Sequence, residues 1–262
     1  MSSDNLSTDP VPDFGRTAID YARYRQGFPV QLFDELAEFK IGMPGQRVLD
    51  IGTGTGLMAR EMAQRGCEVT ALDPSEQMLA MAMEDAEAAA LDIGHLCASA
   101  EQTGLPGGAF DIITAANCWH WFDRTAAATE AMRLLAPGGR LVIAHQEWLV
   151  QPGNPLELTV ETIRRHAPLP EDRLWTFKYP EWLLELHMEG FADFRILGFP
   201  ARLLYTHEEW VGRMVASAWI GPKLSPAEIT AFRTDFTARL AGRHPDPMEV
   251  DHRVFAVVLK RP

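Results

Sequence analysis

At 262 residues and 47% hydrophobic content, the chain has enough apolar surface for a sizeable core, read as one large domain carrying insertions. A formal net charge of −12, with no clustered run of lysines and arginines, excludes a nucleic-acid partner, because phosphate recognition needs concentrated cations. No apolar stretch nears the ~20 residues of a membrane span. Cys67, Cys97 and Cys118 lack metal-ligand spacing and read as small core side chains, so no metal, no membrane contact and a cytoplasmic location are expected.

The opening stretch, MSSDNLSTDPVPDF, is polar and proline-containing with no apolar signal region, which predicts a disordered tail over residues 1–13. Residues 14–45 fit no strand–helix alternation and are expected to be lid helices. From residue 46 the alternation is regular. RVLDI reads as a first strand, and GLMAREMAQRG as a helix stopped at Gly66. CEVTALD is the second strand. SEQMLAMAMEDAEAAA is a helix with Ser75 as its N-cap and Glu76 in the first turn. HLCAS and FDIITAAN supply the third and fourth strands. A helix over 123–136, capped by Asp123, ends at PGG before RLVIAHQEW, the fifth strand. Strands separated by helices specify an α/β fold: a doubly wound, Rossmann-like, mostly parallel sheet with helices on both faces.

After Trp148 the regularity breaks. Helices are expected over 156–167 and 180–190, and FRILGFPARLLYT reads as a long strand. Helices over 206–218 and 225–242 then precede a last strand, RVFAVVLK, which brings the sheet to seven strands. The domain of residues 46–262 thus carries helical cap insertions at about 150–190 and 206–245. The extra segments are expected over the carboxyl edge of the sheet, where open α/β sheets bind ligands.

VLDIGTGTG, from Val48 to Gly56, sets a glycine loop after the first strand. A dinucleotide fingerprint needs G-x-G-x-x-G, and its third glycine is replaced here by Leu57. Asp50, just before the loop, would repel a pyrophosphate and suits a cationic group. S-adenosylmethionine offers an ammonium and a sulfonium, and no phosphate. Asp73, closing the second strand, is placed to accept hydrogen bonds from both ribose hydroxyls of either cofactor.

These motifs resemble the class I S-adenosylmethionine-dependent methyltransferases. VLDIGTGTG looks like the first motif of that family, ALDPSEQML like its second, SAEQTGLPGGAFDIITAA like its third- and fourth-strand signatures, and RLLAPGGRLVI like its fifth-strand signature. YARYRQGFP and WHWFD are similar to a small-molecule subgroup that includes trans-aconitate-methyltransferase-like enzymes. The resemblance implies S-adenosyl-L-methionine as cofactor and methyl transfer to O, N or C of a small-molecule acceptor. It implies that Gly52, Thr53 and Gly54 pass close to the methionine moiety, with Asp50 toward its amino group directly or through water. Met78 would pack on the adenine, edged by Ser99, Ala100 and Glu101. Many relatives carry Asp at the place of Ser99, so the contact there is expected from the backbone. Asn117 would lie beside the sulfonium. Tyr21 and Arg25, in a lid element, would contact the cofactor carboxylate or line the transfer site.

On the substrate side, His120 and His145 are the candidate bases or orienting imidazoles near the carboxyl edge. Trp119, Trp121, Trp148, Trp210 and Trp219 together suggest an aromatic pocket, with Trp119, Trp148, Trp210 and Trp219 as its walls. Arg164, Arg165, Arg173 and Arg213 are candidates for a substrate carboxylate. Three other readings stay open: another reaction of the same cofactor, such as cyclisation releasing methylthioadenosine; an NAD(P)-dependent oxidoreductase; and a non-catalytic cofactor binder.

Overall fold

A computed structural model of the chain describes residues 23–168, 179–217 and 219–262. The tail, Tyr21 and Arg173 lie outside these. The order of elements is α1 (Val30–Glu38), β1 (Arg47–Ile51), α2 (Leu57–Gln64), β2 (Glu68–Asp73), α3 (Glu76–Ala88), β3 (Ile93–Cys97) and β4 (Phe110–Ala116). A 3-10 turn at Trp119–Trp121 leads to α4 (Arg124–Leu134), β5 (Leu135–Trp148), α5 (Pro155–His166), α6 (Tyr179–Met188) and β6 (Ala192–Tyr205). The chain ends with α7 (His207–Val215), α8 (Pro226–Ala241) and β7 (Met248–Lys260).

The seven strands form one sheet in the order β3-β2-β1-β4-β5-β7-β6. β1 to β5 pair in parallel, and β7 lies antiparallel between β5 and β6. Alternate side chains face opposite layers, as a pleated strand requires. Leu49, Ile51, Ile113, Ala115, Leu141 and Ile143 pack with Ala127, Ala131 and Leu134 of α4 and with Trp182 and Leu186 of α6. Val48, Val69, Ile112, Val142 and Val258 pack instead against Leu32, Phe33 and Leu36 of α1 and against Met58 and Met62 of α2.

A third core explains the insertions. β5 ends opposite β7 at Trp148 and His252, but β6 and β7 continue pairing to Tyr205 and Met248. This two-stranded extension overshoots the carboxyl edge and carries the cap: α8 packs on α5 and α7. Leu156, Ile163, Trp210, Met214, Phe232, Phe236 and Val250 are buried between them. Two of these three helices, α7 and α8, start with full capping boxes, Thr206 with Glu209 and Ser225 with Glu228.

Four expectations shift. α1, expected among lid helices over 14–45, packs on a face of the sheet, and α6, inside the expected cap insertion at about 150–190, packs with α4 on the other face. The third strand starts at Ile93, two residues before the predicted HLCAS, because Ile93 to Cys97 pairs with Val69 to Asp73, while Ser99 bridges Gln102 instead. Cys67 and Cys118 are buried, but Cys97 is exposed at the end of an edge strand and is not a core side chain. Ser75 and Asp123 cap α3 and α4 through the amides of Met78 and Ala126.

Candidate active site

The site residues gather at the carboxyl ends of β1, β2, β4 and β5. Gly52 and Gly54 have φ of +64° and +57°. At Gly52 a Cβ would fall 2.9 Å from Cβ of Cys118 and 3.0 Å from the Phe122 ring, so only glycine lets the loop cross the turn after β4.

Asp50 lies under this loop, with no solvent exposure. Its two carboxylate oxygens each accept a hydroxyl, from Thr53 and from Thr114 of β4, both at 2.6 Å. Burial pushes its pKa up to about 6 against these two bonds, and the charge of Asp73 adds to the push. Asp50 is enclosed by these two threonines, and Thr53 is itself 9% exposed. Asp73 accepts from the Gly54 amide at 2.8 Å and the Ser75 amide at 2.9 Å, one on each oxygen. A carboxylate offers about four acceptor sites, so roughly two remain for a diol. Met78 is buried in the first turn of α3. Ser99 and Ala100 follow β3, and Glu101 accepts from the Asp123 amide at 3.1 Å.

Asn117 ends β4 in the left-handed region, with φ +58°. Its side-chain oxygen accepts the Gln146 amide, tying β4 to β5. His120, in the 3-10 turn, is exposed to the cleft yet ringed by protein, and its ring centroid lies 5.5 Å from that of His145. The His145 ring sits 5.1 Å from Trp182 of α6. Protein packing pushes His120 down to about 4 and buried His145 well below its ordinary value, with the Arg25 guanidinium adding to both. Both imidazoles are neutral at pH 7. α6 is fixed in place by Glu185, which accepts two hydrogen bonds from buried Arg124 at 2.5 and 2.6 Å.

Beside Asn117 opens a narrow polar recess lined by Arg25, Gln146, Trp148, Tyr205, Arg213 and His252. Of the four predicted wall tryptophans, Trp148 alone lines it. Trp119 is fully buried in the core under α4, and Trp210 is fully buried in the cap, where its Nε1 donates to Thr159 at 2.9 Å. These two are corrected to core side chains. Trp219 packs in the cap with Lys223 5.1 Å over its ring. The sequence reading missed Tyr205, His252 and Gln146, which line the recess from elements far apart in the chain. Arg164 and Arg165 are exposed on α5. Among the described residues no group of three His, Cys, Asp or Glu side chains is arranged for a metal, and no helix is long and apolar enough to cross a membrane.

A glycine loop thus lies between two strand-end carboxylates on a doubly wound sheet. Residues 49–143 match the family described as "Methyltransferase domain". That stretch, from β1 to β5, is thus similar to a methyltransferase domain. It is 31% identical over 164 residues to an uncharacterized methyltransferase of Mycobacterium tuberculosis, covering 60% of this chain and 64% of that protein. Over 101 residues it is 44% identical to the demethylmenaquinone methyltransferase of Thermus thermophilus, covering 37% of this chain and 46% of that one. The chain thus spans less than two thirds of the length of these relatives. In fold it is similar to the [4+2]-cyclase SpnF, with a TM-score of 0.58 at 19% identity over 98% of this chain and 99% of that one.

Proposed function

We propose that the protein transfers a methyl group from S-adenosylmethionine to a small-molecule acceptor. The observation that carries this reading is the charge of the loop. Asp50 and Asp73 flank Gly52 to Gly54 closely enough for the charge of one to raise the pKa of the other. Both also push up the Cys118 thiol. A pyrophosphate would meet repulsion there, and a ligand with an ammonium and a sulfonium would relieve it. The residues fit such a group: Asp73 keeps acceptor sites for ribose hydroxyls, Met78 and Ala100 give apolar surface, and Arg25 offers a cation for a carboxylate.

When bound, the cofactor supplies an electrophilic methyl group on its sulfonium. The work left to the protein is alignment and the exclusion of water. Asn117 holds the end of β4 against β5, and the cap on the β6–β7 extension covers the cleft. His120, neutral and accessible, is able to accept a hydrogen bond or a proton from an acceptor hydroxyl or amine. Small-molecule acceptors are supported by the Thermus relative, named for a quinone precursor. Fold alone does not fix the chemistry, as the cyclase neighbour illustrates.

The test is calorimetric titration with S-adenosylmethionine, S-adenosylhomocysteine and NADH, followed by analysis of the nucleoside product. Both adenosyl ligands should bind and NADH should not, with S-adenosylhomocysteine as product. Tighter NADH binding would overturn the cofactor assignment. Methylthioadenosine as product would move the protein to a different reaction of the same cofactor.

A further inference from the structure

Gly212 sits inside α7, where the backbone is helical and glycine is disfavoured relative to alanine. It has no left-handed φ to explain it. The reason lies across the interface. A Cβ at this position would overlap Cδ2 and Cε2 of Tyr24 and fall 2.7 Å from its Cζ. The flank of the Tyr24 ring, not a movable tip, fills the place of that side chain, and Tyr24 is 8% exposed.

The residues around Tyr24 tie the same segment at two further points. Gln26 donates to the Leu204 carbonyl at 2.8 Å, near the end of β6. Arg23 reaches Glu208 of α7 at 3.4 Å. Between Tyr24 and Gln26, whose contacts go to the cap, Arg25 lines the recess with Asn117, Gln146 and Arg213. Its charge is felt by Cys118, His120, His145, Tyr205 and His252, groups drawn from three sides of the cleft.

We propose that Gly212 is a positioning residue: its missing side chain forms the socket that seats Tyr24, and the seated ring holds Arg25 in the cleft. The role of Arg25 toward the cofactor rests on the function proposed above; the seating of the segment does not. The cap and the N-terminal segment are therefore coupled through one backbone contact, and the sign of its loss is unusual. Gly212→Ala improves the helix while expelling the ring.

The experiment compares wild type, Gly212→Ala, Tyr24→Ala, the double variant and Tyr24→Phe. Hydrogen–deuterium exchange over residues 23–29 is measured without ligand, and S-adenosylhomocysteine binding by calorimetry. Gly212→Ala should raise exchange over 23–29 and weaken binding about tenfold. Tyr24→Ala should do the same to exchange and binding, and adding Gly212→Ala to it should change neither further. Tyr24→Phe, which keeps the ring, should behave as wild type, because the hydroxyl contact to Glu208 is long at 3.4 Å. Unchanged exchange in Gly212→Ala or Tyr24→Ala would overturn the proposal, as would equal losses from Gly212→Ala with and without the Tyr24 ring. Absence of S-adenosylhomocysteine binding by wild type would instead strike the cofactor reading and leave the exchange result to decide the seat.

Discussion

Replacing Asp50 by asparagine tests what the buried carboxylate is for. An ordinary aspartate titrates near 3.8, and burial carries this one to about 6. At 1.36 kcal/mol per pKa unit, keeping it ionised at neutral pH costs about 3 kcal/mol of stability. The folded pKa is raised, so the sign is fixed. Below 3.8 both states are neutral and there is no penalty; it builds between 3.8 and 6 and is complete above. The amide of an asparagine in its place could still accept from one threonine hydroxyl and donate to the other. The net relief should therefore be about 1–2 kcal/mol, after the loss of charge-assisted bonds. The melting temperature of Asp50→Asn minus that of wild type should rise between pH 4 and pH 7. Ligand binding should move the other way. If the charge is retained for a cationic ligand, S-adenosylhomocysteine, with its ammonium, should bind the variant about tenfold more weakly. Its stabilisation at saturating concentration should then fall by about 1.4 kcal/mol. A variant less stable than wild type at pH 7, with undiminished affinity, would refute the reasoning.

Asp73→Ala should weaken adenosyl ligands by about 1–3 kcal/mol in calorimetry, because buried polar groups lose their acceptor; an unchanged dissociation constant would remove Asp73 from the ribose. His120→Ala should raise KM for the acceptor about tenfold with a smaller change in kcat, as expected of an orienting hydrogen bond. A loss of about 10²–10⁴ in kcat would make it the general base, with an acidic limb near pH 4 in the wild-type rate profile. Glu185→Ala should lower stability by about 2 kcal/mol in denaturant titration, less than for a fully buried pair because Glu185 is 32% exposed. The fluorescence of Trp182 should report the loosening of α6 in the same variant.

The βα half of the fold was legible because its signals are local. Apolar runs, the caps Ser75 and Asp123, and the turn glycines each lie within a few residues of what they determine. The site was legible only where it shares that property. The loop and Asp73 act on their own strand ends, whereas the state of Asp50 depends on Thr114, 64 residues away. Trp119 stands within a site motif and Trp210 within an insertion expected over the site, yet their rings are taken up by the core under α4 and by the cap core. The recess joins side chains from the N-terminal segment, β4, β5, β6, α7 and β7, and no spacing rule links them. One signal was available: a glycine in the middle of the amphipathic α7 asks for a neighbour that needs its space.

The assembled cleft has a direction that none of its motifs carries alone. Its β1–β2 half holds the two carboxylates, and its cap half holds the guanidiniums of Arg25 and Arg213. A ligand with an ammonium at one point and a carboxylate at another gains in one orientation and loses in the reverse, so the field orders it before any contact forms. The acids sit on strand ends that the sheet fixes. Arg25 arrives on a segment held by Tyr24 and Gln26. On the proposed reading, the fixed half sets where the sulfonium lies, and the docked half determines when the site is complete. Methyl transfer asks for little chemistry from side chains, so the timing of that closure is where the protein can exert control over an already activated methyl group.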